Sequence, residues 1–342
     1  MPLPLLAIPQ GDPSGIGPEI ILKALAHPEV FAACRPLVIG DTRILYRAAG
    51  WLGWHFPMFE LVTGPERGGY FAGSIPLLDL GNADPFDCPP GQVCAASGRA
   101  AVEAVIKACD LALAGQVDAI VTPPLNKEAM NLAGFHYAGH TELLAERTGA
   151  DKVTMLLTGA SSSPQGGGGA LRVVHVSTHV ALEEAIRRVT CARVGEVIDL
   201  AQAACLALGI AQPRIAVAGL NPHASEDGLF GDQEVNEIVP AVQAARARGL
   251  DVRGPLPPDT VFLRASRGQF DIVVAMYHDQ GHIPMKLLAF DSGVNVSLGL
   301  PIIRTSVDHG TAFDIAGTGQ ASETSLLAAI EVAVQMVNAR NK

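Results

Sequence analysis

Short apolar runs recur along this chain, and segments with helical spacing separate them. Residues 3–8, 37–40, 117–122, 214–218 and 272–276 have the length and content of buried strands. Residues 18–26, 93–114, 191–208, 231–248 and 322–338 read as helices between or after them. That alternation dictates an α/β fold with helices packed on a largely parallel or mixed sheet. A composition of 49% hydrophobic but only 5% aromatic residues suits such packing. At 342 residues the chain is long for one core, so two domains are expected. No internal repeat and no linker divides the sequence, so the two lobes should be interleaved.

In an open α/β sheet, ligands sit just beyond the carboxyl ends of the strands. The run 272–276 delivers Tyr277, His278 and Asp279 to such an end. The stretch after it spaces Lys286, Asn295 and Arg304 among apolar residues, a mixture suited to holding an anion. Its plain alternative is a buried strand with ordinary surface charges. His179, His223 and His278 each follow an apolar strand. Three strand ends of one sheet can converge, and three protein ligands with an open fourth position is the layout of a catalytic zinc site. The competing reading is three satisfied histidines at loop starts. His278 and His282 could instead pair at i, i+4, but Gly281 argues against a helix there. Asp12, Asp259 and Asp279 are acidic candidates, although an aspartate at a turn is commonly a cap.

A net charge of −10, with no Lys/Arg run longer than two, argues against nucleic acid or an anionic membrane as partner. The six cysteines form no C-x-x-C pair and read as reduced, mostly buried thiols of a cytoplasmic protein. The first residues lack a basic segment and a long apolar core, so no secretory signal is expected. No apolar stretch reaches the roughly 18 residues of a membrane span.

Four further stretches carry local expectations. Residues 10–19, QGDPSGIGPE, form a turn into a helix, whose free N–H groups could receive an anion. Residues 122–127 are a polar loop at a strand end. Thr141 is placed to cap the helix that opens at 139–142. Residues 153–157 and 171–176 are paired strands joined by a flexible glycine-rich loop, 161–169.

Seven motifs occur in order along nearly the whole chain: GDPSGIGPEI (11–20), TPPLNKEA (122–129), GHTELLA (139–145), HVSTH (175–179), GLNPHA (219–224), YHDQGH (277–282) and GLPIIRTSVDHGTAFDIAG (299–317). Together they resemble the 4-hydroxythreonine-4-phosphate dehydrogenase family of pyridoxal phosphate biosynthesis. That family is related to the isocitrate and isopropylmalate dehydrogenases. The resemblance implies two interleaved α/β/α lobes with a cleft between them. Residues 1–125 with 300–342 would form the cofactor-side lobe, and 126–299 the metal, substrate and dimer side. It implies His179, His223 and His278 as ligands of a divalent metal, zinc above cobalt or magnesium. His140, Thr141, Lys286, Asn295 and Arg304 become substrate contacts, several of them to a phosphate. Asp12 and Gly15 in the turn, with Asp308, His309, Gly310 and Asp314, become contacts to NAD, with NADP as the alternative. The metal site would be shared across a homodimer interface. The implied reaction oxidises a 3-hydroxyl, and the resulting β-keto acid loses carbon dioxide. Asp279 and Asp259 are the candidates for the base. HVSTHVAL, PPDTVF and VAMYHDQGHIP are most similar to the branch that uses 4-phospho-D-threonate, and His282 stands where the vitamin branch usually has an apolar residue. The alternatives are 4-phosphohydroxy-L-threonine and, in a catabolic branch, the cis-dihydrodiol of terephthalate. A non-catalytic metal- or phosphate-binding module on the same fold would have lost ligands or the segment 307–317, and none is missing.

Overall fold

The computed structural model describes residues 2–54, 59–160, 170–289 and 292–341. Two compact units result: Met1–Val153 with Leu300–Lys342, and Thr154–Gly299. The first segment runs β1 (Leu5–Pro9), α1 (Gly17–Leu25), α2 (Pro28–Ala33), β2 (Arg35–Gly40), α3 (Thr42–Trp51), β3 (Phe59–Leu61), β4 (Ile75–Asp79), α4 (Ala95–Leu113), β5 (Ala119–Thr122), α5 (Lys127–Leu132) and α6 (His140–Thr148). The second unit follows with β6 (Thr154–Ala160), β7 (Ala170–His175), α7 (Leu182–Arg187), α8 (Cys191–Ala207), β8 (Ile215–Ala218), α9 (Val239–Ala247), β9 (Val252–Leu256), α10 (Pro258–Ser266), β10 (Ile272–Ala275), α11 (His278–Ala289) and β11 (Val294–Leu298). The chain then returns to the first unit as β12 (Ile303–Val307) and α12 (Thr324–Arg340).

In the first unit the strand order is β3-β4-β2-β1-β5-β12, every pair parallel. β1 lies in the middle and is buried throughout, which is why its sequence is continuously apolar rather than alternating. In the second unit the order is β11-β6-β7-β10-β8-β9. Here β7, β10, β8 and β9 are parallel, while β6 runs antiparallel to both β7 and β11. The expected pairing of β6 with β7 is present. The glycine-rich loop 161–169 lies outside the described residues.

Some expectations need correction. The division after residue 125 falls instead between Val153 and Thr154. Gly98 of α4 meets the backbone of α5 so closely that no side chain fits, and Met130, Leu143 and Leu144 lie in one apolar cluster with Val102 and Val105. Residues 126–153 are thus bound into the first core. Thr141 is not a cap: Gly139 takes that position, in extended backbone, without a side-chain bond to the helix. The helix expected at 231–248 is a π turn, Glu234–Ile238, followed by α9. Pro240 in the first turn of α9 has no N–H to close an ordinary α turn. Among the described residues no helix is long and apolar enough to cross a membrane.

Candidate functional site

In the second unit, β7, β10 and β8 are adjacent and parallel, so their carboxyl ends share one edge. That edge carries His175–His179, Tyr277–Asp279 and Gly219–His223. Gln280 ties two of these ends together: its Oε1 accepts from Met276 N (2.7 Å) and its Nε2 donates to Gly219 O (2.8 Å). His278 and Asp279 then open α11, which corrects the expectation of no helix there. Gly281 costs helix propensity but is required by packing. A Cβ at that position would run into the His175 ring and come within 2.7 Å of Val173 Cγ1.

The edge gathers histidines. The rings of His278 and His282 stack at 3.6 Å, tilted by 11°. His175 lies 4.8 Å from His282, and His179 lies 5.7 Å from His278, centroid to centroid. His282 Nδ1 donates to the His278 carbonyl (3.0 Å), which fixes its tautomer. His175 is fully buried, and burial, reinforced by the neighbouring His282 and His278, pushes its pKa down to about 3. It is a neutral packing group under the cluster. His278 Nδ1 faces Asp279 Oδ1 at 2.6 Å. A carboxylate can only accept, so Nδ1 is the donor, and in the neutral ring the lone pair is then on Nε2. A ring held by a carboxylate in this way is a common arrangement for a metal ligand, and in this respect the donor set fits a divalent ion.

His223 stands apart from this pair. Its ring neighbour is Phe230, at 6.4 Å. Among the described residues, no three His, Cys, Asp or Glu side chains come together as a metal site. One copy of the chain therefore juxtaposes His179 and His278 without His223. Asp259 is exposed in the first turn of α10. Lys286 lies on α11 and Asn295 on β11, where the Asn295 Nδ2 contacts Met155 Sδ and its buried Oδ1 makes no hydrogen bond.

In the first unit a second cluster forms between the carboxyl end of β5 and the start of β12. Arg304, on β12, is only 2% exposed, and its Nε and Nη2 donate to Thr122 Oγ1 on β5 (3.1 and 2.6 Å). Burial pulls its pKa down to about 9, with Glu142 opposing. His140 opens α6, and its Nε2 is shielded from water without a hydrogen-bond partner. Burial, then the charges of Arg304 and Lys127, hold its pKa well below the ordinary value. Two cations, a neutral ring and the first turn of α6 thus face one locality. That arrangement calls for an anion.

The glycine turn between β1 and α1 packs on the segment that contains Asp308, His309, Gly310 and Asp314. Ile16 N donates to Thr311 O (3.1 Å), and a Cβ on Gly15 would come within 2.9 Å of Thr311. Glu19 of α1, fully buried, accepts from Gly317 N (2.6 Å) and Gly319 N (2.8 Å). Lys23, one turn on, donates to Gly319 O and Ala321 O. Asp12 is also fully buried. One oxygen accepts from Ser14 N (2.8 Å), and the other makes no hydrogen bond. Burial pushes its pKa up to about 6. This buried carboxylate oxygen is left without a hydrogen-bond partner beside close-packed glycines.

Sequence reasoning missed Lys127, Thr122 and His175 as members of these clusters. Lys127 opens α5 and Thr122 ends β5, at the two ends of the stretch 122–127 that reads as a polar loop, and that position was a usable signal. His175 ends a strand, where its burial is set by Gly281, more than a hundred residues away.

Residues 32–333 match the family described as pyridoxal phosphate biosynthetic protein PdxA. The D-threonate 4-phosphate dehydrogenase of Cupriavidus necator is 49% identical over 339 residues, covering 99% of this chain and 98% of that protein. A 1.25 Å crystal structure of 4-hydroxythreonine-4-phosphate dehydrogenase from Klebsiella pneumoniae matches with a TM-score of 0.86 and 44% identity, covering 98% of each chain. The terephthalate 1,2-cis-dihydrodiol dehydrogenase of Burkholderia xenovorans LB400 is more distant, with a TM-score of 0.67 and 35% identity over 97% of this chain and 98% of that one. With a family match across most of its length and relatives of nearly half identity end to end, this chain belongs to the pyridoxal phosphate biosynthetic protein PdxA family.

Proposed function

We propose that this chain is a metal-dependent, NAD-linked dehydrogenase that oxidises the 3-hydroxyl of a 4-phosphorylated hydroxy acid, after which the β-keto acid loses carbon dioxide. Dehydrogenase names among its relatives support the reaction class. The observation that carries the substrate class is Arg304, a buried guanidinium with Lys127, His140 and the first turn of α6 around it. A dianionic phosphate suits that group; Arg304 would take it through paired N–H donors, and Lys127 would add a point charge. Thr141, Lys286 and Asn295 complete the substrate contacts in this reading.

His179, His223 and His278 would hold the divalent ion, zinc in the first place, with one of the three supplied by the partner copy of a homodimer. When bound, the ion would supply a Lewis acid that lowers the pKa of the hydroxyl and polarises the carbonyl formed from it. Asp12 and Gly15 in the turn, with Asp308, His309, Gly310 and Asp314, would hold NAD, which would supply the hydride acceptor for the carbon bearing the 3-hydroxyl. Asp279 is engaged by His278 and serves to orient that ring, which leaves Asp259 as the first base to test for the hydroxyl proton. The exposed Ile283 and Leu287, one turn apart on α11, and Leu229 and Phe230 close to His223, offer an apolar face for the second copy.

A second reading, oxidation of an aromatic cis-dihydrodiol dicarboxylate, is kept by the likeness to the terephthalate enzyme; Arg304 would then hold a carboxylate. The test offers 4-phospho-D-threonate, 4-phosphohydroxy-L-threonine and the terephthalate dihydrodiol side by side and compares kcat/KM for NADH formation. Preference for either phosphorylated acid is the expected result. Turnover of the diol alone would overturn the phosphate assignment.

A further inference from the structure

Five consecutive residues that are not glycine, His223 to Asp227, have φ angles of 55, 56, 68, 46 and 56°. This is a left-handed turn in a chain of L-residues, a conformation that each of them disfavours. Such backbone persists only where the surroundings over-determine it, and it concentrates where function demands a fixed geometry.

The surroundings here are specific. Glu234, at the start of the π turn, is 1% exposed. Its Oε1 accepts from Leu220 N (2.8 Å) and Asn221 N (2.7 Å), and its Oε2 accepts from Asn221 Nδ2 (2.8 Å). One buried carboxylate therefore clasps the backbone that leads into the turn. On the other side, Gly219 lets Ala224 approach; a Cβ on Gly219 would lie 2.8 Å from Ala224 Cα. Ser225 closes the loop, its carbonyl accepting from Phe230 N (3.1 Å) and its hydroxyl from Gly228 N (3.2 Å). His223 stands exposed on this turn.

We infer that Glu234 is a positioning residue for His223: it clamps Leu220 and Asn221 so that the left-handed turn presents the imidazole, already oriented, as a metal ligand. The inference rests on the reading of His223 as a ligand. A preset ligand loses less freedom on binding, so the clasp should appear as metal affinity.

The experiment measures the zinc dissociation constant of the full-length protein by chelator competition, and the visible spectrum of the cobalt-loaded protein, with circular dichroism as a check on folding. Glu234→Ala is expected to weaken zinc binding about tenfold to a hundredfold and to change the cobalt spectrum while the protein stays folded. Glu234→Gln keeps an acceptor for the two backbone N–H groups but sets a donor against Asn221 Nδ2, so it should fall between. Adding Asn221→Asp to it restores a donor–acceptor pair with residue 234 and, with the Gln233 amide turned to donate where its Oε1 now accepts from Asn221 Nδ2 (2.9 Å), should recover the affinity. Wild-type affinity and spectrum in Glu234→Ala would overturn the inference. If that variant does not fold, failure of Asn221→Asp to improve Glu234→Gln overturns it instead. His223→Ala separates the two layers: if it too binds zinc normally, the ligand reading itself falls. If it loses zinc while Glu234→Ala does not, only the positioning role is lost.

Discussion

Arg304 and Asp12 are both buried at a cost to stability. Taking a guanidinium out of water is unfavourable, and the downward pull on the pKa of Arg304 to about 9 reflects this. Arg304→Met should lower kcat/KM for the phosphorylated acid by a hundredfold or more, about 3 kcal/mol for two charge-assisted bonds. The same change should leave the thermal midpoint unchanged or higher. A variant that unfolds would show that Arg304 is structural. Asp12 makes a pH-dependent prediction. Its folded pKa, about 6, lies above the ordinary 3.8, so between these values the folded state holds a proton that the unfolded state has lost. Its contribution to stability is therefore present below pH 4 and disappears as pH rises through about 6. Asp12→Asn should stabilise the protein by about 3 kcal/mol at pH 8 and by little at pH 4, read from urea unfolding at each pH. Equal effects at both pH values would refute the shift. His179, His223 and His278 were legible as candidates because each follows an apolar strand. Lys127 was signalled only by its place in the polar loop after a strand, and His175 not at all, because Gly281, which makes room for its ring, is more than a hundred residues away.

Among the elements, α11 shows most clearly where local rules mislead. Gly281 and Pro284 both argue against a helix, yet His278–Ala289 is helical because the glycine makes room for the His175 ring. Gly281→Ala should therefore destabilise the protein despite its better helix propensity. The expected loss is about 1–3 kcal/mol in urea unfolding, because the added methyl must displace His175 or Val173. A neutral or stabilising effect would mean that this packing is misread. The strands β1, β2, β5, β7, β8 and β10 and the long helices α4, α8 and α12 were readable from apolar runs and helical spacing alone, whereas β12, which pairs parallel with β5, was not. The short helices α2, α5, α7 and α10 were not, since so short a window carries little periodicity; α1 and α6, nine residues each, were signalled instead by the turn and the polar residues at their starts.

At the scale of the whole molecule, the class of fold and the return of the chain at residue 300 were readable in the sequence. The first boundary was not, because α5 and α6 belong to the core of α4 through Met130, Leu143 and Leu144. The proposed homodimer has its own test. Leu287 is 80% exposed, so replacing it should not disturb the core. Leu287→Asp should convert the dimer to monomer in sedimentation and reduce zinc binding together with it; an unchanged dimer would remove α11 from the interface. The central claim, a metal-assisted oxidation coupled to decarboxylation, is tested most directly by one assay. Chelator-treated protein is given NAD and 4-phospho-D-threonate, and NADH and carbon dioxide are followed together before and after zinc is restored. Silence without the metal, then equal amounts of both products once it is added, is the predicted result. Full turnover by the metal-free protein, or NADH without carbon dioxide, would contradict it.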